Sequence, residues 1–201
     1  MGTGPAVLRT VPGLRFFQLL GSGAGGFGLW PNWHRYALLA VWETPAAAAD
    51  FFDQHPFWAE YRARIQELRH LELVPLKSQG LWDKVNPFDY ETPGAEAADR
   101  RVAVLTRAAI HWRKTPRFWR YVAPTSAAVA HAKGVQLAIG LGELPVVRQA
   151  TFSVWESAAA MQEYAYRDAQ HREVIRLTRQ EKWYSEELFA RFRVLRDGPT
   201  P

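Results

Sequence analysis

His171 has the clearest capacity for chemistry in this sequence, because it differs from its counterpart in an internal repeat. Segments 40–47 and 153–160 both read as an apolar strand ending in Val-Trp-Glu, then a Thr or Ser cap, then an alanine-rich helix. The two copies lie 113 residues apart, which matches His171 with Trp58. A neutral imidazole can ligate a metal, whereas an indole cannot. If a cofactor binds in this unit, we expect the second half to hold it.

The inventory of possible ligands favours a cofactor that needs only one protein ligand. The chain has no Cys, which excludes disulfides, thiolate nucleophiles and iron–sulfur clusters. The remaining histidines form no pair at metal-ligand spacing, which argues against a dedicated zinc site. They are His34, His55, His70, His111 and His131. Haem needs a single protein ligand, and a neutral histidine supplies it.

Two further side chains share a predicted helical face with His171. Tyr164 and Arg167 precede it at spacings of seven and four residues, so all three would lie on one stripe of a continuous helix. If Asp168 restarts the helix, His171 is instead at its third position and the stripe bends there. Arg167 could pair with a cofactor carboxylate in bidentate fashion, or it could be a surface arginine that pairs with a neighbouring acid. His171 itself could be a ligand or a hydrogen-bonded structural residue. Both alternatives stay open at this point.

Arg107 and Tyr184 are the candidate catalytic side chains. Strand alternation places Arg107 on one face of a strand among small apolar neighbours. Such a charge could line a cavity, or an edge position could let it reach solvent. Tyr184 belongs to segment 182–187, Lys-Trp-Tyr-Ser-Glu-Glu, which joins the last predicted helix to the last strand. The two acids of this segment could bind a ligand or accept hydrogen bonds from nearby arginines.

Composition narrows the class of protein. With 48% hydrophobic residues in 201, the chain can bury a substantial core. Its net charge of +5 is spread along both halves instead of clustered, which argues against nucleic-acid binding. The sequence shows no membrane-spanning run and no leader, so we expect a cytoplasmic protein with peripheral contact to anionic lipid as a second possibility. Nine Trp favour a deep apolar pocket or an interface.

The order of predicted elements indicates an α+β fold built from two ferredoxin-like halves. Residues 101–201 read as β-α-β-β-α-β, the split βαβ plan. Residues 1–82 repeat this plan without its opening strand and helix, and the polar, Pro- and Gly-containing segment 83–100 reads as a linker. The two halves side by side predict a fold of the dimeric α+β barrel type, with an incomplete first half.

Several segments together resemble the spheroidene monooxygenase family, the carotenoid 2-ketolases, over nearly the whole chain. They include GLRFFQLLGSG, YALLAVWE, VAVLTRAAI, FWRYV, IGLGELPVVRQATFSVWES, YAYRDAQHREVIRLTR and KWYSEELFARF. The resemblance implies an oxygen-dependent haem enzyme. Its substrate would be an acyclic methoxylated carotenoid such as spheroidene, oxidised at C-2 in two hydroxylation rounds to the 2-oxo product. Haem b would be held by His171 as axial ligand, with Arg167 and Tyr164 beside it.

The same resemblance implies the partners of the reaction. O2 would be the oxidant, and an external reductant such as ferredoxin would supply electrons, because the chain shows no flavin or nicotinamide motif. The oligomeric state stays open.

One departure from the family concerns the start of the chain. Family members usually have a further strand and helix before the GLRF segment, so either Met1 is not the natural start or the chain is shortened. An unpaired sheet edge would then remain in the first half. The alternative function is a non-catalytic module of the same fold that binds haem or another lipophile.

Overall fold

The computed structural model describes residues 4–23, 31–89, 100–120, 129–144, 146–167, 181 and 183–198, without the side chains of residues 31, 166 and 167. Tyr164, Arg107 and Tyr184 fall within this part of the chain. His171 and the side chain of Arg167 lie outside the described residues.

The second half has the complete ferredoxin-like plan. Its strands are β4 (Val102–Ile110), β5 (Val135–Leu144), β6 (Arg148–Trp155) and β7 (Tyr184–Gly198), and its helices are α4, described at 115–120, and α5 (Ala158–Arg167). A short 3-10 turn, Trp112–Lys114, leads from β4 into α4. The four strands lie in the order β5-β6-β4-β7, which is the ferredoxin-like arrangement.

The first half contains the later part of the same plan. Its strands are β1 (Leu14–Gly23), β2 (Pro31–Trp42) and β3 (His70–Gly80), and its helices are α1 (Gly4–Leu8), α2 (Pro45–Gln54) and α3 (Pro56–Arg62). Thr44 caps α2 as predicted, because its hydroxyl accepts the Ala47 N–H at 3.1 Å. Helix α1 was not predicted from the sequence, and α3 ends at Arg62 instead of near residue 69.

All seven strands form one antiparallel sheet in the order β2-β1-β5-β6-β4-β7-β3. The Phe16 ring of β1 contacts Trp82, which follows β3 from the other end of this order, so the sheet is curled. In the second half β4 lies between β6 and β7. The equivalent place in the first half, between β2 and β3, holds no strand among the described residues. The predicted α+β fold with an incomplete first half is therefore confirmed.

The repeat extends to individual contacts. Gly13 and Gly134 both have positive φ angles, 73° and 80°, and each carbonyl accepts the N–H of the Glu in its Val-Trp-Glu motif, at 2.8 and 2.9 Å. A Cβ at Gly13 would lie 2.6 Å from the Ala47 Cβ, and one at Gly134 would lie 2.7 Å from the Ala160 Cβ. Only glycine therefore lets each strand approach its helix this closely.

The curled sheet separates two apolar layers. Its inner face carries the main core, to which alternate residues of β1, β4, β5, β6 and β7 contribute together with Trp82 and Phe88. Its outer face in the second half is covered by α5, around Val102 and Trp155. Phe88 lies in the predicted linker yet is buried against Phe192, with ring centroids 4.9 Å apart. The division of the chain into domains at 82 and 100 stays a prediction.

Within the described ranges, no helix is both long and apolar enough to span a bilayer.

Candidate active site

Arg107 is buried on the inner face of the curled sheet. It lies on β4, which is paired with β6 on one side and β7 on the other, and only 1% of it is exposed. The alternative of an edge position that reaches solvent is therefore wrong. Leu105, which shares its face, belongs to the main core. Strand alternation grouped Arg107 with Leu105, as the structure has them, and the central position of β4 explains the burial.

Three carboxylates surround the Arg107 guanidinium. Its Nε donates to Glu143 Oε1 at 3.0 Å, a second nitrogen donates to Glu186 Oε1, and a third lies 3.6 Å from Asp83 Oδ1. The guanidinium carbon also lies 5.4 Å from the centre of the Trp82 ring, in the range of a cation–π contact. A buried charge needs such compensation, because desolvation costs several kcal/mol when a charge has no partner.

A second arginine completes this cluster at the surface. Arg148 on β6 lies 3.2 Å from both Asp83 Oδ1 and Glu143 Oε2, and Gln18 donates to the other Asp83 oxygen at 3.1 Å. Arg107 and Arg148 thus share the carboxylates of Asp83, after β3, and Glu143, on β5, whereas Glu186 on β7 pairs with Arg107. The network joins elements of both halves at one end of the sheet.

Glu186 also holds a strained turn. Asp83 and Lys84 have positive φ angles of 53° and 69°, which non-glycine residues rarely adopt. Both of their backbone N–H groups donate to the Glu186 carboxylate at 2.9 Å. Burial by itself would raise the pKa of Glu186, but these two donors and Arg107 outweigh it and lower that pKa below its usual value. The strained turn directly follows Trp82 and helps to keep this side chain fully buried in the main core.

The chemistry open to Arg107 follows from this arrangement. A guanidinium has hydrogen-bond donors and no acceptor, so Arg107 can act only by donating hydrogen bonds and by its charge. Among the described residues, its guanidinium contacts three carboxylates and the Trp82 ring. The geometry is that of a residue that fixes the surrounding elements, and a direct role for Arg107 in catalysis stays a prediction.

Tyr184 belongs to a different cluster. It begins β7, pairs in register with Ile110, and packs edge-on against Phe118 of α4, with ring centroids 6.0 Å apart. Ile110, Phe118 and Trp183 form the buried part of this cluster. Its proposed catalytic role also stays a prediction.

Tyr164 lies on the opposite side of the sheet from Arg107. Its ring packs on Trp155 with centroids 5.4 Å apart, in the layer between α5 and the outer face. Strand β6 carries Trp155 on this outer face, whereas Arg107 is on the inner face of the adjacent strand. The sheet therefore keeps Tyr164 and Arg107 apart, and one compact site that contains both is not formed.

The outer layer has the apolar character that haem requires, but its central side chains are already packed. Val102 and Trp155 are buried, in contact with the partly buried Met161 and Tyr164. On the same face of β7, level with Val104, the Nε of Arg191 is buried and has no hydrogen-bond partner among the described residues. A buried donor of this kind suits a carboxylate such as a haem propionate.

Sequence reasoning missed most of the Arg107 cluster. Glu143, Asp83 and Arg148 come from three separate segments, and no spacing rule connects them. Glu186 was noted as an acid that could accept from an arginine, and it does. The available signal was the isolated charge of Arg107 itself, because a buried cation requires acids nearby.

Comparisons with known proteins complete this description. The chain is 41% identical over 189 residues to a spheroidene monooxygenase from Rhodobacter capsulatus, covering 94% of this chain and 78% of that protein. It is 38% identical to one from Rubrivivax gelatinosus, covering 95% and 72%. A third, from Cereibacter sphaeroides, is 36% identical, and the chain spans 58% of its length. No protein-family model matches the sequence.

Solved structures also show similarity. Proteins assigned as monooxygenases from Fusobacterium nucleatum and Lactobacillus acidophilus have TM-scores of 0.47 and 0.44 at 10% and 14% identity. Each comparison covers 98% of this chain, with 82% and 90% of the other chain. At these scores the similarities carry no argument about this chain.

Proposed function

The chain belongs to the spheroidene monooxygenase family and is thus a monooxygenase, and from this premise we propose that it introduces a keto group at C-2 of an acyclic carotenoid with the help of haem. The observation that supports the proposal is 41% identity over 94% of the chain to a protein named spheroidene monooxygenase.

Of the residues that would hold haem, Tyr164, Trp155 and Arg191 lie on the helix-covered outer face of the second half, whereas His171 and the side chain of Arg167 fall outside the described residues. His171 would ligate the iron, Tyr164 and Trp155 would contact the macrocycle, and Arg167 or Arg191 would pair with a propionate. When bound, haem would supply the iron that activates O2. The argument for His171 is its place in the repeat opposite Trp58.

The reaction balances over two rounds. Each round would consume one O2, two electrons and two protons, insert one oxygen atom into a C–H bond and release the other as water. The second insertion at the same carbon gives a geminal diol, which loses water to form the ketone. The electrons would come from an external reductant such as ferredoxin, since no motif for an internal electron carrier is present.

The chain's own side chains would contribute binding and the exclusion of water. The partly buried Met161 and Tyr164, packed on Trp155, would form an apolar wall that suits a polyene, which has no groups to hydrogen-bond. Arg107 and its carboxylates would act from the other side by holding β4, β5 and β7 in fixed register. This rigidity keeps the outer wall in place without any contact with the substrate.

The test is conversion of pigment in cells. The full chain is co-expressed with an acyclic carotenoid pathway under air, and the pigments are analysed by absorption and mass. A product that has gained one oxygen and lost two hydrogens, with a conjugated carbonyl spectrum, supports the proposal. Folded, haem-loaded protein that leaves the pigments unchanged would contradict the carotenoid assignment and favour the non-catalytic binding module.

A further inference from the structure

We propose that one end of the curled sheet docks on the surface of a lipid bilayer that carries anionic headgroups. This surface, the docking end, consists of Leu81, Val85, Trp112, Leu144 and Val146 with the basic side chains around them. The inference rests on the proposed function in one respect, because a carotenoid is dissolved in the bilayer and must be reached there.

The docking end gathers large apolar side chains that are exposed to solvent. Its five apolar residues are all among the exposed large hydrophobic side chains of the described chain. They come from different elements that meet at one end of the sheet. The Ile110 N–H at the end of β4 donates to the Val147 carbonyl at 2.8 Å, and Asp83 pairs with Arg148 at the start of β6.

The turn between β5 and β6 holds its apolar tip in a strained conformation. Val146 has a φ of 73°, which is a rare backbone state for a β-branched residue. Its carbonyl accepts the indole N–H of Trp119 at 3.0 Å, which helps to hold this state. Leu144 at the same turn is 53% exposed. Strain that is retained to present an apolar tip to water points to a function for that tip.

Charge at the docking end suits an anionic surface. The Arg113 guanidinium lies 5.0 Å from the centre of the Trp112 ring, so a cation and an indole project together from the turn before α4. Lys84 adds a second exposed basic side chain. Most carboxylates at this end are in ion pairs with arginines; Glu187 is exposed and has no ion pair with another described residue. The paired acids are Asp83, Glu143, Glu181 and Glu186.

This combination fits the headgroup region of a bilayer. An indole has an apolar body and one polar N–H, which places it at the membrane–water interface. Guanidinium and ammonium groups bind lipid phosphates, and each basic residue near an anionic surface strengthens binding. Apolar turn tips next to such groups can enter the acyl boundary, and binding then scales with the apolar area buried.

Vesicle sedimentation with the purified full chain tests the proposal. We expect the chain to pellet with vesicles of phosphatidylcholine and phosphatidylserine, to pellet less with phosphatidylcholine alone, and to be released by high salt, which screens the charges. Trp112→Ala should weaken partition about tenfold, since it removes a large apolar side chain. Trp33→Ala is the matched control, because Trp33 and Trp112 are both 72% exposed and only Trp112 lies at the docking end.

Two further variants separate the apolar and charged contributions. Leu144→Ala should weaken partition, whereas Leu195→Ala should not, although Leu195 is 51% exposed and differs little from Leu144 in that respect. Arg113→Gln should weaken binding to anionic vesicles about fivefold. It should leave binding to phosphatidylcholine unchanged.

Three outcomes would overturn the proposal: no pelleting with any vesicle, equal losses in the Trp33 or Leu195 controls, or a self-association that Trp112→Ala abolishes. The last would assign this end to a second copy of the chain. Carotenoid turnover is not part of the assay, so vesicle binding by a chain without haem or activity would leave the docking end intact while the proposed function fails.

Discussion

Arg107 and Glu143 are joined by a 3.0 Å hydrogen bond inside the curled sheet, and this contact ties β4 to the end of β5. Because Arg107 is almost fully buried, its loss would remove the counter-charge that the partly buried Glu143 and Glu186 carboxylates meet inside the sheet. Arg107→Met should therefore lower the free energy of unfolding by about 3–5 kcal/mol. Denaturant unfolding monitored by tryptophan fluorescence measures this loss.

Arg148 provides the control for that experiment. It contacts two of the same carboxylates, but its side chain is much more exposed to solvent. Exposed ion pairs contribute about 0–1 kcal/mol, so Arg148→Met should have a small effect. Equal losses from the two variants would mean that burial of Arg107 does not determine the energy of this network.

Glu186 predicts how stability depends on pH. In the folded state its pKa is lowered from the usual 4.5. Burial favours a higher pKa, but the N–H donors of Lys84 and Asp83 and the Arg107 guanidinium outweigh that effect. A carboxyl whose folded pKa is depressed stabilises the protein above its unfolded pKa, and this contribution is lost as pH falls through the folded pKa. We expect Glu186→Gln to reduce stability at pH 7 and to flatten the decline below about pH 4.5.

The pKa of Asp197, at the opposite end of the sheet, is also lowered in the folded state. Its carboxylate accepts two hydrogen bonds from Arg69, at 2.7 and 2.8 Å, and one from Arg101 at 3.0 Å. The hydrogen bonds and charge of Arg69, against a smaller effect of burial, lower the pKa of Asp197. Asp197→Asn should therefore flatten the same acid limb, and the double variant with Glu186→Gln should flatten it further. A wild-type slope in the double variant would refute both assignments.

Gly13 and Gly134, which directly precede the matching strands β1 and β5, should both be intolerant of replacement by alanine. Gly13→Ala and Gly134→Ala each place a methyl group less than 3 Å from an alanine Cβ on the following helix, at a positive φ. Each should destabilise the protein by at least about 1 kcal/mol. Gly21→Ala is the control, because a Cβ at Gly21 meets nothing within 4 Å. Thermal unfolding that ranks Gly21→Ala with the other two would contradict the packing argument.

Haem binding is the prediction that most directly tests the proposed function. His171→Ala should abolish the Soret band of haem-reconstituted protein, because it removes the side chain that we propose as the iron ligand. Trp58→Phe changes the matched position of the first half while keeping an aromatic ring, so it should leave the band in place. A normal histidine-ligated spectrum in His171→Ala would exclude this residue as the ligand, whatever the activity of the protein.

Much of the fold could be predicted because it depends on short-range patterns. The Val-Trp-Glu repeat, the Thr44 cap with Pro45 and the alternation along β4 each follow from neighbouring residues. The bounds of α3 and the existence of α1 were missed, because packing decides where such short helices begin and end. The family followed from long sequence segments, and curated relatives confirm it.

In the candidate site too, some features follow from the sequence and others from the tertiary structure. The sequence by itself determined that Arg107 stands among small apolar neighbours and that Trp58 matches His171 in the first half. Only the tertiary structure decided that Glu143, Glu186 and Asp83 surround Arg107, and that the sheet separates Arg107 from Tyr164. The reason is physical: a strand pattern specifies which face a side chain occupies, but strand order and the curl of the sheet specify what that face meets.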